Sequence, residues 1–236
     1  MKILVIVAHP DDEVLGMGGT IKKHTKNGDS VVVAYLTTGI NARRSIDYTN
    51  SSSYNFSEHY LQKNKKQILE LKNDAKKSSK ILGVKNTLFF DFPDNEMDTI
   101  PLLKIVKTIE KIILKEKPDI VYTSHYKDLN IDHRITCNAT LTACRPNSIF
   151  IKQILCFEIF SSTEWTFSYD FKPNHFVNIE KELSSKINAM GKYKNELKKF
   201  PHPRSLENIE NSAKRWGSIS GFNAAEAFQI IRKMQI

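Results

Sequence analysis

The run KILVIVAH at residues 2–9 constrains the fold more than any other part of the chain. From Ile3 to Ala8 every residue is apolar, with no polar alternation. Such a strand is buried on both faces, which places it inside a parallel sheet covered by helices on either side. Segments 30–38, 87–92 and 119–125 share its Val, Ile, Phe and Tyr content and are bounded by Gly, Asn or Asp. Between them apolar residues recur at helical spacing: Leu61, Ile68, Leu71, Ala75 and Leu82, then Leu102, Ile105, Val106, Ile109 and Ile113. This alternation argues for an α/β fold, a Rossmann-like layer sandwich with a mostly parallel central sheet and helices on both faces. A further strand is expected at 154–160, and helices near 180–199, 205–216 and 223–234. No repeat and no Gly- or Pro-rich linker divides the chain. Residues 1–236 therefore read as one domain, with the part from about 150 to 236 adding extra strands and helices.

With 40% hydrophobic and 26% charged residues, the composition is that of a globular protein able to bury a core. No stretch approaches the roughly 20 apolar residues of a membrane helix. The amino terminus meets acids where a signal peptide would be cleaved. Cys137, Cys144 and Cys156 form no CxxC pair and read as reduced core thiols, so a cytoplasmic protein is expected. The net charge of +9 comes largely from lysines in helical stretches such as KNKKQ and KKSSK, which read as solvated faces. No zinc-finger, homeodomain or RNA-binding motif accompanies them, so a nucleic-acid partner is not expected. A basic surface also suits an anionic or lipid-linked substrate.

The buried strand stops abruptly at His9, Pro10, Asp11, Asp12 and Glu13. This is the carboxyl edge, where open parallel sheets bind ligands. A nucleotide-binding turn fits poorly: Gly16 and Gly18 begin a G-x-G-x-x-G pattern whose third position is Ile21, and three acids would face a pyrophosphate. The glycines read better as letting a helix start close against the sheet. Helix capping accounts for one or two carboxylates, and Glu13 can be a first-turn acid, but a histidine with three acids exceeds that need. The third reading is a metal site, with His9 and Asp12 sharing a cation. The segment SHYKDLNIDHRIT at 124–136 follows another strand on the same edge and offers His125, Asp128, Asp132 and His133.

The motifs AHPDDEVLGMGGT and DLNIDHR resemble those of the PIG-L/LmbE-like family of zinc-dependent N-acetylglucosamine deacetylases. The likeness continues through SSKILGVKNTLFFDFPDN and covers most of the first 145 residues, while KFPHPRS and GFNAAEAF resemble a branch found near bacterial sugar pathways. The resemblance implies an LmbE-like fold with His9, Asp12 and His133 as metal ligands and Asp11 as general base. It implies Zn²⁺, with iron or cobalt possible on the same ligands. It further implies removal of an N-acetyl group from an N-acetylglucosamine-type conjugate, and assembly into a homo-oligomer.

One departure matters. Many family members read His-Pro-Asp-His in the second motif, whereas this chain has Asn130, Ile131, Asp132 and His133. Asn130 can donate a hydrogen bond to an oxyanion but cannot act as a cationic acid. His202 is the other candidate for that role, and Asp132 fits an orienting carboxylate. A different small amide as substrate, or metal and sugar binding without turnover, are the rival readings. The polar loop at 39–57 is a candidate lid, whose Arg43 and Arg44 could meet a substrate phosphate. His202 and Arg204, in a turn between prolines, are candidate substrate contacts. Trp165 is a candidate for stacking on a sugar ring. His24 and His59, in lysine-rich helical stretches, are expected to be exposed.

Overall fold

Alternate residues of the first strand, β1 (Lys2–Val7), feed two separate cores. Ile3, Val5 and Val7 join one apolar cluster, and Leu4 and Ile6 join the other. This is the outcome the unbroken apolar run requires, because successive strand side chains point to opposite faces. The computed structural model describes residues 1–39, 58–146 and 151–235, and only the backbone of 58–64.

On one side β1 pairs with β2 (Ser30–Thr37), which pairs with β3 (Asn86–Phe92). On the other side it pairs with β4 (Ile120–Ser124), which pairs with β5 (Gln153–Phe157). These five strands are parallel. Beyond β5 lie β7 (Ala225–Lys233) and then β6 (His175–Asn178), with β7 antiparallel to both neighbours. The sheet order is β3-β2-β1-β4-β5-β7-β6. The chain thus winds one way from β1 and the other way from β4, which leaves a crevice at their carboxyl ends. Helices α1 (Asp12–Lys26), α2 (Glu58–Leu82) and α5 (Leu183–Met190) cover one face. Helices α3 (Leu102–Glu116) and α4 (Ile131–Ala143) cover the other. The last helix, α6 (Leu206–Ser220), packs on β7.

The glycines of GMGGT serve close packing. A Cβ on Gly16 would meet the Phe157 ring at 2.0 Å, and one on Gly19 would meet Ile179 at 2.8 Å. Helix α1 is also broken at Met17 (φ −148°, ψ 24°). Glu226 of β7 repairs the break by accepting hydrogen bonds from Gly19 N (2.9 Å) and Thr20 N (2.6 Å), while Lys186 Nζ neutralises it at 2.6 Å. A buried carboxylate therefore caps the restarted helix.

Three expectations are corrected. Residues 223–234, expected as helix, form strand β7. Gly221 (φ 78°) ends α6, and ladders to β5 and β6 outweigh the helix preference of the Ala, Glu, Gln and Lys that follow. The helix expected over 180–199 shrinks to α5, with turns after it, and the short strand β6 precedes it. His24, expected to be exposed, keeps only 14% of its side chain accessible. The side chain of His59 lies outside the described residues. The three cysteines are free and buried. Among the described residues no helix is long and apolar enough to cross a membrane.

Candidate metal centre

The turn after β1 delivers three side chains into the crevice. Asp11 adopts φ 112°, ψ −26°, left-handed backbone that costs a non-glycine residue on the order of 1–3 kcal/mol. Its carbonyl accepts from Val14 N (3.0 Å) and Leu15 N (2.9 Å), but its side chain makes no capping bond. Capping therefore does not explain this acid. Asp12 Oδ2 accepts from His9 N at 2.8 Å and lies 3.4 Å from His9 Nδ1 and 3.3 Å from His133 Nε2. His9 Nδ1 and His133 Nε2 face each other at 3.0 Å. Asp12 Oδ1 is buried with no hydrogen-bond partner among the described residues. An orphaned buried carboxylate oxygen is costly, and a cation is the simplest group that would satisfy it. One donor atom from each of His9, Asp12 and His133 lies within 4.8 Å of the others.

The far side of each imidazole is held by carboxylates. His133, in the first turn of α4, turns Nδ1 to Asp128 Oδ1 at 2.9 Å. Asp128 is fixed in turn by the Ser162 and Thr163 hydroxyls and by Asn130 N. His9 Nε2 lies 3.0 Å from Asp94 Oδ1 and 3.2 Å from Asp132 Oδ2. Asp132 accepts from Asn95 N (2.6 Å) and Met97 N (3.2 Å). Carboxylate backing of this kind sets the tautomer and aim of a metal-binding histidine. Asn130 caps α4 by accepting from Asp132 N at 2.8 Å, and its Nδ2 donates to Asn95 Oδ1 at 2.9 Å.

The electrostatics favour positive charge between the donors. Burial lowers the proton affinity of His133, but Asp12 and Asp128 outweigh it and push its pKa up to about 9. His9 is raised against burial by Asp12, Asp132 and Asp94. Asp12 is held far below the carboxylate range, because His133 and His9 overcome its burial. Asp11 moves the opposite way: burial raises it, Arg204 opposes, and Glu196, Asp12 and Glu13 add to the rise. Glu13 is pushed up to about 7 by burial, against the hydroxyl of Tyr193 that donates to Oε1 at 2.7 Å. Beside the cluster opens a cavity of about 250 Å³, lined by His9, Asp11, Asp94, Asn95, Asn130 and Arg204 among others.

Residues 4–144 match the family model described as PIG-L, GlcNAc-PI de-N-acetylase. The chain belongs to the PIG-L family. The PIG-L match runs from within β1 through α4, and so includes His9, Asp11, Asp12 and His133. Diacetylchitobiose deacetylase of Thermococcus kodakarensis is 31% identical over 243 residues, covering 98% of this chain and 83% of that one. Among solved structures, N,N'-diacetylchitobiose deacetylase from Pyrococcus horikoshii aligns with TM-score 0.71 at 25% identity, covering 98% and 83% of the two chains. GalB from Pseudomonas putida, a 4-carboxy-2-hydroxymuconate hydratase, aligns with TM-score 0.75 at 17% identity, covering 100% and 98%. A hydratase and a deacetylase thus share this fold, so the fold alone does not choose the reaction.

Within this PIG-L chain the structure brings together His9, Asp11, Asp12, Asn130, Asp132 and His133 in the crevice. Arg204, expected as a substrate contact, lies with them on the cavity lining, its Nη1 3.1 Å from Asp11 Oδ2. His202 is absent from the cavity lining among the described residues. Its Nδ1 accepts from Arg204 N at 3.1 Å, and its ring meets Trp165 edge-on at 5.7 Å. Trp165 is half exposed beside it. Arg43, Arg44 and the loop 39–57 apart from Gly39 lie outside the described residues. Sequence reasoning missed Asp94, Asn95 and Glu196. The turn DFPDN after β3, on the same sheet edge, was the available signal for the first two.

Proposed function

We propose that this chain is a metal-dependent deacetylase that hydrolyses the N-acetyl group of an N-acetylglucosamine-type amino sugar carried on a larger conjugate. The products are acetate and a free amine. The observation that carries the reading is the convergence of His9 Nδ1, His133 Nε2 and Asp12 on one point, with Asp12 Oδ1 otherwise unpartnered and Asp11 beside it on the cavity. Two nitrogens and a carboxylate suit zinc with a coordination position left over, and iron or cobalt suits the same donors. When bound, such an ion polarises an amide carbonyl and makes water a stronger acid near neutral pH.

The rest falls to the protein. His9 and His133 would hold the ion through their inner nitrogens, aimed by Asp94, Asp132 and Asp128. Asp11 stands outside the donor set. It takes a proton from the attacking water and returns it to the sugar nitrogen as the C–N bond breaks, since an amine leaves poorly as an anion. Its burial, which raises the carboxyl, suits it to hold that proton between the two steps. Asn130 Nδ2 commits one N–H to Asn95 and has a second for the carbonyl oxygen as charge develops there. The sugar assignment is supported by the named activities of the two diacetylchitobiose deacetylases.

The test is acetate release from a panel of N-acetylated amino sugars that includes diacetylchitobiose. The expected result is turnover that a chelator abolishes and zinc restores. Asp11→Asn is expected to keep its bound metal and lose turnover by roughly the 10²–10⁴-fold typical of an acid–base group. Full activity in Asp11→Asn would remove Asp11 from the mechanism.

A further inference from the structure

Asn95 (φ 55°) on the cavity lining is one of the non-glycine residues with left-handed backbone, and two others, Asp11 (φ 112°) and Ser161 (φ 67°), share a partner. These two belong to different turns, one after β1 and one after β5. A single side chain joins them. Arg204 donates from Nη1 to Asp11 Oδ2 (3.1 Å) and Glu196 Oε2 (3.3 Å), and from Nε to Ser161 Oγ (2.7 Å). The segment FPHPRS presents that side chain from a fixed backbone. Ser205 N donates to His202 O (3.0 Å), Arg204 N to His202 Nδ1 (3.1 Å), and the Ser205 side chain caps α6.

We infer that Arg204 is a positioning residue for Asp11: it ties Oδ2 and leaves Oδ1 as the oxygen that exchanges the proton. This rests on the reading of Asp11 given above. Among the described residues no hydrogen bond reaches Asp11 Oδ1, whereas Oδ2 is committed to the guanidinium. A guanidinium is a rigid planar fork, so fixing Nε on Ser161 and Nη1 on Glu196 also fixes where Nη1 meets Asp11. Asp12, Glu13 and Glu196 all surround Asp11 with like charge. Without the cation, repulsion and the unfavourable backbone would both turn the carboxylate away from the cavity. The role of His202 follows from the same geometry. It shapes the turn that aims Arg204.

The experiment compares the metal-loaded wild type with Arg204→Met, Arg204→Lys and Ser161→Ala, on whichever N-acetylated amino sugar the wild type hydrolyses. Arg204→Met is expected to lower kcat about 100-fold, the scale of a misplaced reacting group, with KM and metal content near wild type. Methylguanidinium added to Arg204→Met should raise kcat and leave KM alone. Arg204→Lys should recover only part of the loss, because an ammonium keeps the charge but cannot place donors at the two separate positions that Nε and Nη1 occupy. Ser161→Ala should lower kcat less than Arg204→Met does. Wild-type kcat in Arg204→Met overturns the inference. So does a rise in KM alone, which would make Arg204 a substrate contact, or a loss of metal that accounts for the lost rate. If Arg204→Met does not fold, wild-type kcat in both other variants overturns it equally. A wild type inert on every sugar would sink the proposed function instead.

Discussion

At its amino end α1 meets His9, Asp12 and His133; at its carboxyl end it carries His24 beside Asp29 and Tyr122. Both ends place an imidazole against a carboxylate. At the carboxyl end the account closes: His24 Nδ1 lies 2.7 Å from Asp29 Oδ2, His24 Nε2 lies 3.0 Å from Tyr122 Oη, and the terminal amine donates to Asp29 Oδ1 at 2.6 Å. The turn there spends its positive φ on Gly28, with open space around it. At the amino end the account stays open. Among the described residues Asp12 Oδ1 has no partner, two imidazole nitrogens face each other at 3.0 Å, and the positive φ falls on Asp11. A histidine touching an aspartate is therefore no signature of function in itself. What marks the end proposed to hold a metal is an unsatisfied buried oxygen together with strain retained by an acid.

The comparison breaks most easily by substitution of one histidine at each end. His133→Ala removes a proposed ligand, and is expected to abolish stoichiometric metal binding and turnover together. His24→Ala is expected to leave both at the wild-type level while lowering thermal stability. Calorimetric titration of metal-free protein with zinc reads the first outcome, and acetate release reads the second. A loss of metal stoichiometry in His24→Ala would erase the distinction between the two ends. A smaller effect sharpens it. Asp128→Asn keeps the shape that backs His133 but loses the charge, and should weaken zinc about 10–100-fold in competition with a chelator. Asp29→Asn, the equivalent change behind His24, should not alter zinc affinity.

The same contrast explains what the sequence could reveal. His9, Asp11 and Asp12 fall within four residues and follow an unmistakable buried strand, and His133 lies in the first turn of a helix after another, so local reading reaches them. Asp94 and Asn95 also follow a strand, but nothing in DFPDN says that this turn faces His9, because that depends on the turn after β3 reaching past β2 to the end of β1. Arg204 is legible as part of a proline-bounded turn. Its target is not, since Asp11 lies 193 residues away along the chain. Strand β7 was illegible for a related reason. Its Ala, Glu, Gln and Lys prefer helix, and only the vacant place between β5 and β6 makes them a strand. His24 misled in the opposite sense, because lysine neighbours suggest solvent while Tyr122 and Asp29 enclose the ring.

The smallest effect concerns the closed end alone. Asp29 is held below the usual carboxylate range: burial opposes ionisation, but the amino terminus and His24 outweigh it. A lowered carboxylate pKa stabilises the fold above the ordinary value of about 3.9, and that contribution disappears as pH falls through the lowered value. Asp29→Asn should therefore be less stable than the wild type at pH 7, by a gap that is smaller at pH 3. Because Met1 is an exposed residue, solvent screening keeps the difference at or below about 1 kcal/mol, and added salt should shrink it. Urea titrations at the two pH values measure it. A gap undiminished at pH 3 and in salt would mean that Asp29 acts through hydrogen-bond geometry rather than charge. The two ends of α1 would then differ in their unsatisfied oxygen and their strain, and no longer in how each uses its carboxylate.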